Sequence, residues 1–181
     1  NTEIAKEVGI DYRTYEKMIA FAINSFMVFN IKPWAKPNKL NKRFVKSPKL
    51  YFTDCNFLSY IMKRSIDDLY VNDSRTFGHI FENFVATELI KCTKLHNVEL
   101  SHYRTQAGKE ADFVLENSNG DIVGIEVKSS INIDKKYLSG LRELQDLTGD
   151  KFKKGLVVYL GQDIIPLSEK IWAVPICYFW A

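Results

Sequence analysis

The runs Glu110-Ala111-Asp112-Phe113-Val114-Leu115 and Ile122-Val123-Gly124-Ile125-Glu126-Val127-Lys128 decide how this chain is read. Both have the composition of β-strands. Side chains alternate along a strand, so Ala111, Phe113 and Leu115 share one side and Glu110 and Asp112 the other. On the second run Ile125 and Val127 point one way, Glu126 and Lys128 the other. Adjacent strands built this way gather three carboxylates beside one lysine, an arrangement that costs a sheet stability. A cation among the carboxylates relieves their repulsion. Carboxylate oxygens completed by water are the ligands Mg²⁺ prefers. Lys128, two residues beyond Glu126, is placed to orient an attacking water or to stabilise a pentavalent phosphate.

Working outward, Ser74 is expected to cap a long helix through about residue 94. Phe77, Ile80, Phe81, Phe84, Val85 and Leu89 form its apolar stripe. Glu82 lies at the edge of that stripe and is the preferred third carboxylate, with Glu88 its rival. A strand at 99–104 precedes the two decisive runs. A helix at 134–147 follows them, with Leu138, Leu141 and Leu144 on one side, then strands at 155–160 and 171–176. The order α-β-β-β-α-β-β predicts an α/β domain, a mixed sheet flanked by helices.

The first third differs in charge. Residues 1–64 hold 12 Lys/Arg against 5 Asp/Glu, and residues 65–181 hold 13 against 17. The split predicts two parts, 1–64 and 65–181, joined at a polar stretch spanning 64–74. Thr2 can cap a short helix that Gly9 stops, and Asp11 a longer one with Tyr15, Met18, Ile19, Ala22, Ile23 and Phe26 at helical spacing. Strands are expected at 27–31, 43–45 and 50–53, with a loop carrying Lys36, Lys39 and Lys42 between the first two, and a helix at 55–63. A helix pair followed by strands and a basic loop describes a winged helix, with the second helix directed to a DNA groove and the lysines to phosphates. The same element can serve as a packing or dimer module.

At 181 residues and 46% hydrophobic, the chain has room for one domain, or one with a small companion. No apolar run is long enough to span a bilayer, and no basic-then-apolar leader precedes the first helix. Cys55, Cys92 and Cys177 are odd in number and far apart, which argues against a disulfide framework or a cysteine zinc site and fits the cytoplasm. The start at Asn1, without Met and in the middle of a motif, is read as that of a fragment of a longer protein. His79, His96 and His102 lack metal-ligand spacing. Gln145 is a minor site candidate, and Arg104 and Lys109 are minor candidates for phosphate contact.

Asp112 followed by Glu126-Val127-Lys128 resembles the PD-(D/E)XK nuclease signature, with Ala111 where the signature carries proline. The runs 43–54, 81–89 and 171–175 resemble the C-terminal region of bacterial and archaeal P-loop ATPases. That region is a winged helix followed by a domain of unknown function of the DUF4143 type. The resemblance implies a restriction-endonuclease-like fold at 65–181, preceded at 1–64 by a partial winged helix whose first helix lies upstream. It implies Glu82, Asp112, Glu126 and Lys128 as catalytic residues, with the three carboxylates holding Mg²⁺ or Mn²⁺. DNA is the implied partner, beside the chain's own upstream ATPase domain, and an oligomer is compatible with it. The only Gly-Lys pair, Gly108-Lys109, is followed by Glu110, so ATP belongs to the upstream part. Two functions follow as expectations: metal-dependent hydrolysis of DNA phosphodiesters, or a non-catalytic binding or assembly module that retains the nuclease fold.

Overall fold

The computed structural model describes residues 2–34 and 47–180. The expected strand at 43–45 and the lysines at 36, 39 and 42 lie outside the described residues. The chain opens with α1 (Thr2–Val8) and α2 (Tyr12–Asn24), the latter capped by Asp11, whose carboxylate accepts the Thr14 N–H at 3.0 Å. Strands β1 (Val28–Pro33) and β2 (Lys49–Phe52) pair antiparallel, with Val28 opposite Phe52. Helix α3 (Cys55–Met62) follows, capped by Asp54.

The polar seam is a helix, α4 (Ile66–Asn72), capped by Ser65. Leu69 is its one buried residue, too few to give a helical period in the sequence. Arg64 ties both its ends, reaching Asp68 at 2.7 Å and Asp73 at 2.9 Å. The long helix α5 (Ser74–His96) takes Asp73, rather than Ser74, as its cap; the Asp73 side chain accepts from the Thr76 N–H.

Three strands follow, β3 (Glu99–Arg104), β4 (Glu110–Glu116) and β5 (Ile122–Lys128). A 3₁₀ turn at Lys135–Leu138 leads into α6 (Ser139–Thr148). Strands β6 (Phe152–Tyr159), β7 (Ile165–Pro166) and β8 (Ile171–Pro175) complete the order.

The eight strands of the described residues form one mixed sheet, in the order β2-β1-β3-β4-β5-β6-β8-β7. The β3-β4-β5 meander is antiparallel; β6 runs parallel to β5, and β8 parallel to β6. β1 joins β3 in parallel, so the strand pair from the basic first part extends the same sheet. Helices α5 and α6 pack on separate cores. Phe81, Val85, Ala86 and Leu89 of α5 meet Ile31, Tyr51, Phe113, Ile125 and Val127. Leu138, Leu141 and Leu144 meet Val114, Ile122, Phe152 and Ile171. Because β5 has helices over both faces, its apolar residues run on with little polar interruption.

Two features set the approach of these layers. A Cβ on Gly140 would lie 1.6 Å from the Glu110 carbonyl oxygen, so only glycine lets α6 press against the start of β4. Strand β4 also carries a bulge. Ser101 pairs with Val114 but Tyr103 with Ala111, so β4 spends three steps where β3 spends two. The extra residue falls at 112–113. It turns Ala111 into the α6 core while Phe113 stays with α5, a departure from strict alternation. Among the described residues no helix is long and apolar enough to cross a membrane.

Candidate functional site

The bulge places Asp112 at a fork in the sheet. Pairing of β4 with β5 runs only as far as Phe113 opposite Ile125. Beyond it, the Val127 N–H donates to the Asp112 carboxylate, Oδ2, at 2.9 Å instead of to a neighbouring strand's carbonyl. Strand β5 stays paired to β6 through Lys128, so its end is rigid while the gap toward β4 opens. Glu126 and Lys128 lie on β5 at this gap. The Lys128 ammonium bonds Glu126 Oε1 at 2.6 Å and lies 5.2 Å from the Tyr137 ring centre.

Helix α5 brings Glu82 to the same place. One turn earlier, Gly78 lets the helix approach the end of β5: a Cβ there would meet Ser129 Oγ at 3.1 Å. The next residue, Asn83, holds the helix to β2, accepting from the Phe52 N–H at 2.7 Å and donating to the Phe52 carbonyl at 3.0 Å. Glu88, the rival carboxylate, does not converge; it pairs with Lys91.

Two residues outside the sequence-derived set join the site. The Lys49 ammonium stands between Glu82 Oε1, at 2.9 Å, and Asp112 Oδ1, at 3.0 Å. The Tyr51 hydroxyl donates to the same Glu82 oxygen at 2.6 Å. Their signal was the spacing Lys49-x-Tyr51, two polar-tipped side chains on one face of a short strand. Without knowing what β2 packs against, that face has no meaning in sequence. His79 lines both cavities of the site, and Gln145 lines neither. Arg104 lines the first cavity and pairs with Glu110 at 3.4 Å, while Lys109 turns to Glu143.

The two cavities meet along Glu82. One, of about 410 Å³, is lined by Lys49, Tyr51, His79 and Arg104 among others; the second, of about 350 Å³, by Arg75, Asp112, Lys128 and Ser129. Cations therefore rim an acidic floor. Asp112 and Glu126 are both buried, at 4% and 5% exposure. Burial, reinforced by the charge of Asp112, pushes the Glu126 carboxyl up to about 8. Burial opposes the charge on Lys49, but the charges of Asp112 and Glu82 outweigh it and hold the ammonium above its ordinary range. Burial and the Glu82 charge likewise push the Tyr51 hydroxyl up, so it stays a donor. Glu126 Oε2 is buried with no hydrogen-bond partner among the described residues.

As the side chains stand, no group of three or more His, Cys, Asp or Glu among the described residues is gathered to hold a metal ion. The donor chemistry still fits a hard divalent cation. A positive charge already stands between Glu82 and Asp112, and Glu126, close enough to feel the Asp112 charge, has a buried carboxylate oxygen without a partner among the described residues.

Comparison with protein families finds two matches. The family described as Domain of unknown function (DUF4143) matches residues 77–179, the span that carries Glu82, Asp112, Glu126 and Lys128. The chain belongs to the DUF4143 family. Residues 1–69 match a second, Domain of unknown function (DUF8612). The site is thus shared: Glu82 and the strand carboxylates lie in the DUF4143 span, while Lys49 and Tyr51 come from the segment matching the other. No curated protein and no solved structure matches the chain.

Proposed function

We propose that this chain is a nucleic-acid phosphodiesterase module of the PD-(D/E)XK type, dependent on Mg²⁺ or Mn²⁺ and attached to a larger ATPase. In this reading 65–181 is the restriction-endonuclease-like part and the α1–α2 pair with β1 and β2 is a partial winged helix against DNA. The observation that carries it is that Glu82, Asp112 and Lys128 line one cavity at the forked strand end, with Glu126 paired to Lys128 and lining neither cavity. Burying carboxylates near one another raises the energy of the fold; Lys49 and Lys128 offset part of that cost, and a bound divalent cation would offset it in place of Lys49. The cationic rim of Arg75, Arg104 and Lys128 suits a phosphate backbone.

A divalent ion held by Glu82, Asp112 and Glu126 would supply Lewis-acid polarisation of a phosphoryl oxygen and a water of lowered pKa. The chain's own residues do the rest. Lys128 presents a positive charge to the phosphoryl group, and Val127 N–H fixes the Asp112 carboxylate. Tyr51 fixes Glu82. Hydrolysis adds one water across one P–O bond and yields a phosphate monoester and a free hydroxyl.

The test is incubation of the chain with supercoiled plasmid and with single-stranded DNA in Mn²⁺, against a chelated control. Cleavage is expected, falling at least about a hundredfold in Glu126→Ala and in Lys128→Ala. Cleavage that persists in both variants places the activity elsewhere. The Lys49 bridge favours a second reading, a binding module whose acidic centre is internally neutralised; salt-sensitive DNA affinity with no cleavage in any metal would establish that instead.

A further inference from the structure

We propose that Lys49 is a displaceable internal cation, which occupies the Glu82–Asp112 pair and must leave before a divalent ion can bind there. The inference rests on reading the cleft as a divalent-cation site. Its first support is competition for the same atoms. The ammonium takes Glu82 Oε1 and Asp112 Oδ1, and Asp112 Oδ2 is already committed to the Val127 N–H. Glu82 Oε1 and Asp112 Oδ1 are the oxygens that the ammonium bridges, so a hard cation seated between them and the ammonium exclude each other.

The second support is that Lys49 has somewhere to go. It enters the site from β2, which among the described residues pairs only with β1, whereas Glu82, Asp112, Glu126 and Lys128 ride on α5, β4 or β5. Its side chain is 21% exposed. It lines the first cavity, and Asp112 and Lys128 line the second, with Glu82 on the wall between. Rotation of the four-carbon stem returns the ammonium to the first cavity, beside solvent and within reach of a backbone phosphate, and frees both carboxylates. Tyr51 keeps its bond to Glu82 during the exchange, so the carboxylate stays aimed.

The test titrates Mn²⁺ by calorimetry into the wild-type chain, Lys49→Met and the double variant Lys49→Met with Asp112→Asn. Lys49→Met is expected to bind Mn²⁺ at least about tenfold tighter than wild type, and the double variant to lose that gain. Thermal melts give a second readout. Without metal Lys49→Met melts below wild type, because two carboxylates face each other unneutralised, and saturating Mn²⁺ raises it further than it raises wild type. Should Lys49→Met not fold, the wild-type chain decides: in a Mg²⁺ titration followed by lysine side-chain NMR, the Lys49 ε signal moves to the position of solvent-exposed lysines. Equal Mn²⁺ affinity in wild type and Lys49→Met, no binding to either, or an unmoved Lys49 signal at Mg²⁺ saturation overturns the proposal. Tighter Mn²⁺ binding by Lys49→Met with no DNA cleavage by either chain leaves the cation exchange standing and removes the nuclease. Cleavage by wild type with unchanged Mn²⁺ affinity in Lys49→Met does the reverse.

Discussion

Glu126 and His102 bracket the site in pH. Glu126, pushed up to about 8 from an ordinary 4.5, holds its proton in the folded chain over a window where the unfolded chain has lost it. Its contribution therefore falls as pH rises from 4.5 to 8. His102 is buried, its Nε2 bonded to the Ser47 carbonyl at 3.1 Å, and burial with the nearby Lys49 charge pushes it down to about 4 from 6.5. There the unfolded chain binds the extra proton, so stability is gained as pH rises from 4 to 6.5. The two oppose each other at lower pH; above 6.5 only Glu126 of this pair still titrates. The expected outcome is a melting temperature that declines between pH 6.5 and 8 in wild type, by on the order of 2 kcal/mol or roughly 4–8 °C. In Glu126→Gln the decline flattens, and pH-resolved calorimetry of both chains checks it. An unchanged slope in the variant would show that Glu126 ionises normally in the folded state.

At the scale of elements, the centre depends on how α5, α6 and β2 are held to the sheet. Asn83 replaces a missing strand neighbour for β2, satisfying both the N–H and the carbonyl of Phe52. Asn83→Ala leaves those groups without partners at a part-buried position, an expected loss of about 1–3 kcal/mol in denaturant unfolding. Because β2 carries Lys49, the same variant should also loosen the Lys49 bridge, visible as a shift of the Lys49 side-chain signal. Gly140 is less forgiving. Its added methyl would meet the Glu110 backbone rather than a movable side chain, so Gly140→Ala should cost at least the roughly 1–3 kcal/mol of ordinary overpacking. A melting point within 1 °C of wild type, by the scale of about 2–4 °C per kcal/mol, would mean that α6 can shift without loss.

For the whole molecule, the continuous sheet couples the basic first part to the acidic remainder. Ile31 of β1 and Tyr51 of β2 are buried in the same core as Phe113, Ile125 and α5, and the Trp34 N–H donates to the His102 carbonyl at 2.7 Å. Chemical unfolding followed by tryptophan fluorescence and by far-ultraviolet dichroism should give coincident transitions. Two separated midpoints would mean that the strand pair unfolds independently of the rest. Charge acts at this scale too. If the cationic rim meets a phosphate backbone, replacing both Arg75 and Arg104 by alanine should reduce the slope of log affinity for duplex DNA against log salt by about 2. An unaltered slope would place the nucleic acid on another face.

The strands and long helices were legible because their periods are strong. The stripe of α5 and the alternation around Glu126 report burial directly. The parity of Asp112, Glu126 and Lys128, with Glu82 on the stripe's edge, nominated four residues, of which Glu82, Asp112 and Lys128 line one cavity and Glu126 pairs with Lys128. Helix α4 was not legible, since one buried leucine makes no pattern. Nor was the bulge at 112–113, because an extra residue in one strand is defined only against its neighbour. Local sequence determined which segments are helix or strand and which polar side chains interrupt their apolar faces, since those depend on near neighbours along the chain. Only the tertiary structure decided that Lys49 lies between Glu82 and Asp112, residues 33 and 63 positions away in the chain. An ion pair across that separation depends on sheet order and helix approach, and neither is encoded in the spacing of the residues that form it.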